Sequence, residues 1–516
     1  MLRTFAASAF LASIFAQAQT PTITSVVNAG SYSTQLCPGV EAFVFGENLG
    51  TGIGPAPGGI TVTVAGKPAF VAASSTTTVV VEIPFEAAPG ATTLTVSANG
   101  MTSAPFNVTL ATYCPAFLTT GPNGTGSILA NEPQPPPVTS STPAKSGDTL
   151  TILATGLGPT NPPTATGQSI PMHPTATPVS ITLGGVEVPS SDIVFAGTGG
   201  GASPGIDLIT LKVPINVQGT QPIVITVGGV SSPTGNTLPI AGISALVSNA
   251  SFGSPGTAAP GSIVSIFATG LGSANQLTGF PSSDFQGVQV TFNGTAAPLF
   301  HLVGSATPQQ IDLLVPEELP TSGIVNVQLS TPTFVSPDYP LNMAPAVPAF
   351  YRLINPADLT QFNVTAQFAN SAWLALPAST TAALGLPPCA LSISPLSECG
   401  QPATPGDYLV LYVTGLGVTT PNGDPNGTPL ATGTIPPANG SVLYETPTKP
   451  TVTIGGIPAS VLYSGLVPGY PGEYQVDIQV PSGVANGDET PVVITMEGLS
   501  DTATISIQPR YVPSEQ

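Results

Sequence analysis

Short apolar runs, broken by Thr, Gly and Pro, set the rhythm of the chain. In VTVAG (62–66), ITLGG (181–185), VTFNG (290–294) and VTIGG (452–456), apolar and polar positions alternate with a period of two. That period predicts strands with one buried face. Each stretch ends in Ala-Gly, Gly-Gly or Asn-Gly, pairs that suit two-residue hairpins whose central residues take positive φ. A strand closed by proline follows each time: VVVEIP (79–84), LITLKVP (208–214), IDLLVP (311–316) and VDIQVP (476–481). Proline has no N–H for the ladder, so it marks where each strand leaves its sheet. A further strand follows, as in ATTLTVSANG (91–100), PIVITVGGVSS (222–232), IVNVQLS (324–330) and PVVITMEGLS (491–500).

Ahead of each set stands a longer apolar run that stops at glycine: LTILATGLG (150–158), VSIFATGLG (264–272), LVLYVTGLG (409–417) and a variant, AFVFGENLG (42–50). The runs, Leu409 to Val413 for example, read as strands buried on both faces. The glycines let the backbone turn, and the leucine between them folds back over the core. One such corner per folding unit predicts an all-β chain of four immunoglobulin-like sandwiches, each of about 100 residues or more. The spacing exceeds the periods of solenoids and propellers, about 20–50 residues. The modules are expected at 21–111, 112–240, 243–345 and 346–511. The first and third open alike, with VVNAGSYS (26–33) and LVSNASFG (246–253). The second and fourth open with CPAFLTT (114–120) and VPAFYRL (347–353) and carry Pro-rich inserts at 133–144 and 420–440. The organisation is short–long–short–long, two copies of a two-domain pair.

Composition narrows the function. Charged residues are 6% of the chain, against about 25% in ordinary globular proteins. Apolar residues grouped into β-branched runs distinguish it from a disordered chain despite 57 Gly and 60 Pro. A net charge of −19 with seven basic residues excludes nucleic-acid binding, which needs clustered Lys and Arg. Residues 1–18 read as an export signal: Arg3, an apolar run from Thr4 to Phe15, and the small-residue site Ala16-Gln17-Ala18. The run is shorter than the roughly 20 residues of a membrane span. A secreted protein, extracellular or on the cell surface and without a membrane span, is expected. Four cysteines, Cys37, Cys114, Cys389 and Cys399, fit an oxidising compartment. Three pairings are possible; Cys37–Cys114 with Cys389–Cys399 keeps each bridge within one half of the chain, and free buried thiols are the alternative.

The fourth module also resembles a known family. PGDYLVLYVTGLGVTTPNGDPNGTPL followed by VTIGGIPASVLYSGLVPGYPGEYQVDIQVPSGVANGDETPVVITMEGLS is similar to the uncharacterised C-terminal domain of secreted Solibacter-type acidobacterial proteins. The resemblance is strongest over 400–508, extends to 243–345 and is weaker over 26–110 and 114–240. It implies secretion and an IPT/TIG-type, immunoglobulin-like β-sandwich. It brings no catalytic residues with it.

Candidate chemistry is sparse. His173 and His301 lie in different modules and are expected in ordinary loop or strand positions. Gly201-Ala202-Ser203-Pro204-Gly205 matches the spacing of a nucleophile elbow, but it lacks the strand-to-helix turn that chemistry needs. Asp424 with Asn422 and Asn426 offers calcium too few carboxylates and reads as a turn. Trp373 lies in an Ala/Leu-rich piece expected to form a short helix and serve the core. Tyr463, Tyr470 and Tyr474 cluster in sequence and form the candidate ligand-binding patch. Sequons such as Asn107 and Asn363 arise readily in a Thr-rich chain. No cofactor or metal is expected. The favoured function is a non-enzymatic extracellular scaffold, adhesion or surface-interaction component with a protein or polysaccharide partner. The alternative is a polysaccharide- or peptide-binding module using loops of the long modules. A third is an atypical secreted hydrolase with a site in 133–144, 166–178 or 352–400.

Overall fold

The computed structural model describes residues 19–509 except 51–53, 56–58, 132–136, 306–307 and 391. The export signal at 1–18 lies outside the described residues, as does part of the insert at 133–144. The protein is a tandem array of immunoglobulin-like β-sandwiches. In the first, strands Thr22–Asn28, Glu41–Glu47, Thr78–Glu82, Phe70–Ser74 and Gly54–Pro55 form one sheet in that order. Phe106–Leu110, Gly90–Ala98, Thr61–Val64 and Lys67–Pro68 form the other. The third sandwich repeats this order with Gly242–Ser248, Ile263–Thr269, Gln309–Leu314, Leu299–Val303 and Asn275–Ser282 facing Thr257–Ala258, Tyr339–Met343, Gly323–Ser330, Gln289–Phe292 and Thr295–Ala296. In the fourth, the long strand Ile457–Leu466 pairs with Thr451–Ile454 at one end and Tyr474–Gln479 at the other, joining both faces into one continuous sheet.

The alternation seen in sequence is the alternation of the cores. Val62 and Val64, Val290 and Phe292, and Val452 and Ile454 point inward, while their polar neighbours face out. The hairpin dipeptides Ala65-Gly66, Gly184-Gly185, Asn293-Gly294 and Gly455-Gly456 all have positive φ. The leucines of the corners, Leu49, Leu157, Leu271 and Leu416, are buried. In the first corner Asn48 takes the left-handed conformation, φ 56°, which Asn tolerates better than most residues.

Two expectations are corrected here. The strands before the corners are not buried on both faces: Leu409, Leu411 and Val413 are buried, but Val410 and Tyr412 between them are only half-covered. An outer sheet face needs no second apolar layer when small and polar neighbours shield it. Trp373 is not helical and not in the core. It lies in the strand Trp373–Ala375, half-buried, with its indole N–H donating to Ser394 O at 3.2 Å, and the short helix Ala378–Ala383 follows it.

The chain divides into two compact units. One carries the first sandwich and most of the second; the other carries residues 140–146, 215–220 and 240 onward, hence the third and fourth.

Candidate functional site

The tyrosine patch does not assemble. Tyr474 opens the strand Tyr474–Gln479 on its inward parity and is fully buried, its hydroxyl donating to Gly417 O at 2.6 Å. Burial, then the Glu317 carboxylate, raises its phenol far above the usual range. Tyr474 is therefore a structural residue and not part of a ligand surface. Tyr463 is half-buried; burial, then Glu445 and Asp477, pushes it up to about 12. Only Tyr470, in a turn closed by its N–H to Val467 O, is exposed.

What Tyr474 belongs to is a joint between sandwiches, built from the corner residues. Thr414, at the start of TGLG, accepts a hydrogen bond from Ile263 N at 2.9 Å and donates to Gly472 O at 2.8 Å. The linker from the third sandwich enters against the same corner. Val347 N donates to Gly415 O at 2.7 Å, and a Cβ on Gly415 would come within 2.0 Å of Val347 O. Glycine is required there by both space and a φ of 79°. The insert adds a clasp. Thr432 N donates to Glu318 Oε1 at 2.9 Å, the Thr432 hydroxyl donates to the other oxygen of that carboxylate, and Glu317 N donates to Thr432 Oγ1 at 2.8 Å.

The same joint stands between the first and second sandwiches. Thr155 accepts from Glu41 N at 2.8 Å and donates to Gly205 O at 2.6 Å. Cys114 N donates to Gly156 O at 3.1 Å, and a Cβ on Gly156 would meet Cys114 O at 2.4 Å. Thr166 clasps Glu86 from its hydroxyl at 2.5 Å and its N–H at 3.4 Å, while Phe85 N donates to Thr166 Oγ1 at 3.0 Å. Both clasps are the Thr of an Ala-Thr-Gly triplet, 165–167 and 431–433.

The lining differs. Where the joint of the last two sandwiches has Ile263, Leu314 and Tyr474, that of the first two has Glu41, Glu82 and Asp207. Glu82 and Asp207 are buried. Glu82 accepts from Gly167 N at 2.6 Å and Asp207 from Leu157 N at 2.9 Å. Burial pushes Glu41 up to about 7. It does the same for Asp207, against the N–H groups of Leu157 and Gly156, and for Glu82, where the Asp207 and Glu86 charges add to it. In the other joint Glu317 reaches about 8 through burial and then the Glu318 charge, and burial also raises Glu473 beside Tyr474. A disulfide, Cys37–Cys114, crosses the first joint; Ala259 and Val347 hold the matching places in the second. Cys389–Cys399 closes a loop within the fourth sandwich.

The remaining candidates are structural. His173 is buried, its Nδ1 2.9 Å from Thr164 Oγ1, which also contacts Thr198 Oγ1 at 2.9 Å. His301 lies 3.2 Å from Asp312 on the neighbouring strand. Asp424 accepts from Asn426 N at 2.9 Å, as a turn residue does. Ser203 accepts through its backbone from Ile206 N in a loop. Among the described residues no group of three His, Cys, Asp or Glu side chains is placed to hold a metal ion. No helix among them is long and apolar enough to cross a membrane.

No family model matches the chain, and no curated protein matches it. Solved structures similar to it include the N-terminal eight Ig domains of Down Syndrome Cell Adhesion Molecule: 11% identity, 92% of this chain, 46% of that one, TM-score 0.16. The S-layer protein rSbsC shows 13% identity over 95% of this chain and 54% of its own, TM-score 0.17. SGBP-B from a xyloglucan utilization locus of Bacteroides uniformis shows 14% identity over 63% of this chain and 100% of its own, TM-score 0.20. The chain spans about half the length of the first two. At such scores these likenesses carry no argument about what the chain binds.

Proposed function

We propose that this is a secreted, non-enzymatic scaffold or surface-interaction protein, an array of sandwiches that holds contact surfaces at set distances outside the cell. The observation that supports it is the duplicated joint. A spacer needs stiff connections, and here two connections use the same threonine, glycine corner and Ala-Thr-Gly clasp. The two disulfides fit an extracellular setting. Cleavage of the export signal after Ala18, the IPT/TIG affiliation and membership of the Solibacter-type family belong to the same proposal. Thr166, in the loop after the second module's corner, and Thr432, in the insert at 420–440, serve the joints, which weakens the alternative that those loops are free to take a ligand.

The test is label-to-label distance measurement by pulsed spin resonance on the mature full chain, with one label on each side of a joint. A spacer gives a single narrow distance across each joint. Broad distributions across both would remove the reading. Co-sedimentation with bacterial envelopes then asks whether the array is retained on a surface.

A further inference from the structure

We infer that a cleft at the start of the third sandwich, walled by Phe267, edged by Ser140, Ser141 and Thr220 of the second module and adjoined by the exposed Phe252 that stacks on Phe267, binds a neutral polysaccharide. This goes beyond the scaffold reading and does not depend on it.

The first observation is a turn that spends free energy to present a ring. Phe252 has φ 53°, a left-handed conformation that penalises any residue with a Cβ and suits glycine. Its N–H donates to Ser248 O at 2.9 Å, and Ser248 N donates to Gly253 O at 3.0 Å. Phe252 is 55% exposed, and its ring stacks on Phe267, with centroids 6.2 Å apart and planes at 25°. The first sandwich builds the same turn. Tyr32 has φ 54°, donates its N–H to Asn28 O at 2.8 Å, is 41% exposed, and lies 5.5 Å from the Phe43 ring. Two modules thus place an aromatic where glycine would be unstrained. Strain held by surrounding hydrogen bonds at an exposed position points to use.

The second observation is the cleft beside Phe267. It has a volume of about 640 Å³, within the range of ligand sites, roughly 300–1,000 Å³. Its lining includes Ser244, Thr269, Ser273, Ser305 and Gln309, and among the described residues no Lys, Arg, His, Asp or Glu lines it. Gln309 is a strut: it accepts from Leu271 N at 2.8 Å and donates to Gly304 O at 2.8 Å. Ser244 and Ser273 are exposed and offer hydroxyls that both donate and accept, while Thr269 pairs with Thr220 and Ser305 with Asn275. Sugar rings match this combination, with C–H faces for an aromatic wall and hydroxyls for a hydroxyl-rich one. The uncharged lining and the chain's net charge of −19 disfavour polyanions. A peptide would find no charged group here to read its side chains or termini.

The test is native electrophoresis of the mature full chain in gels containing hydroxyethylcellulose, xylan or soluble starch, with polygalacturonate as the anionic control. At least one neutral polymer should retard the protein and polygalacturonate should not. Phe252→Gly should weaken retardation at least tenfold while leaving Tm within about 2 °C, because glycine adopts the turn without strain. Ser273→Trp, at an exposed position on the cleft wall, should block binding as well. The inference is overturned if no neutral polymer retards the protein, if polygalacturonate retards it equally, or if both variants bind as the parent does. Label distances across the joints read the scaffold proposal separately, so either can fail alone.

Discussion

The two joints share a backbone plan and differ in what fills it. Thr155 and Thr414 bridge the same pair of backbone groups. Around them one joint buries two carboxyls, Glu82 and Asp207, with a third, Glu41, partly covered; the other places Leu314, Tyr474 and Ile263 there. Apolar side chains gain from leaving water, whereas a buried carboxyl must stay protonated or lose hydration. The carboxyl-lined joint is also the one crossed by a disulfide. The covalent tie offsets a lining that is weaker above neutral pH. A shared joint geometry therefore does not imply a shared stability, and pH and redox state should separate the two.

The largest separation should come from removing the Cys37–Cys114 disulfide alone. Cys37 and Cys114 enclose a separation of 77 residues, for which loss of the cross-link costs about 4–5 kcal/mol in the chain-entropy account. A Cys37→Ala/Cys114→Ala variant, which keeps Cys389–Cys399, followed in a urea series by peptide-resolved hydrogen exchange, should open the first joint early and leave the second at its original midpoint. Simultaneous opening would mean the joints are not independent.

Next in size is the exchange of linings. Glu82 has a folded pKa near 7 against 4.5 for a free glutamate. The folded state thus holds its proton more tightly, and this stabilisation is complete below about pH 4.5 and lost as pH rises through 7. That rise corresponds to about 3 kcal/mol. Glu41 and Asp207 shift the same way. Glu86, held low mainly by Thr166 and to a lesser degree by Lys67, does not join them. Glu82→Leu should flatten this pH dependence and stabilise the joint by roughly 2 kcal/mol at pH 8, part of the gain being lost at the unpaired Gly167 N–H. Leu314→Glu should enlarge the dependence that buried Glu317 already gives the second joint. Urea midpoints at pH 5 and pH 8 measure both, and a flat profile in the parent protein would discard the carboxyl argument.

Thr155→Val and Thr414→Val should cost similar amounts, about 1–3 kcal/mol each, since each removes one accepted and one donated hydrogen bond while keeping the shape. Thermal denaturation of the two variants side by side checks the equivalence; a difference above twofold would show that the bridges are not the same device. The smallest effects belong to the clasps. Thr166→Ala and Thr432→Ala remove exposed bonds to Glu86 and Glu318 and leave the half-covered N–H groups of Phe85 and Glu317 without their acceptors, expected at about 1 kcal/mol. Broadened label distances across the joint, more than a lowered Tm, would register them.

Much of the fold was legible because its signals are local. Val62–Val64 and Val452–Ile454 announce their parity, and Asn293-Gly294 announces its hairpin. Pro84 and Pro316 announce where strands leave the sheet. Leu299–Val303 reads as a strand around His301, whereas Phe70–Ser74 escapes the pattern because its half-covered positions blur the period of two. The site was less legible. Tyr474 looked like a companion of Tyr470 in sequence, yet strand parity turns it inward. The joints pair residues as distant as Ile263 and Thr414, which no local pattern reports. A signal is present all the same: Ala-Thr-Gly stands after the corner of both long modules, at 165–167 and 431–433. Phe252 and Tyr32 were visible as parallel openings, but only the backbone shows that both rings sit in a left-handed turn.

The glycine corner that receives a linker and the linker that enters it lie within the same pair of sandwiches. For a lineage that lengthens such a protein by copying part of its gene, the pair is the smallest segment that carries a complete fitting. Copying a single sandwich would leave a corner with nothing to receive, or a linker with nowhere to dock. Arrays built this way should therefore grow by twos, and descendants with odd numbers of sandwiches should be rare or should have rebuilt Thr414 and its two glycines.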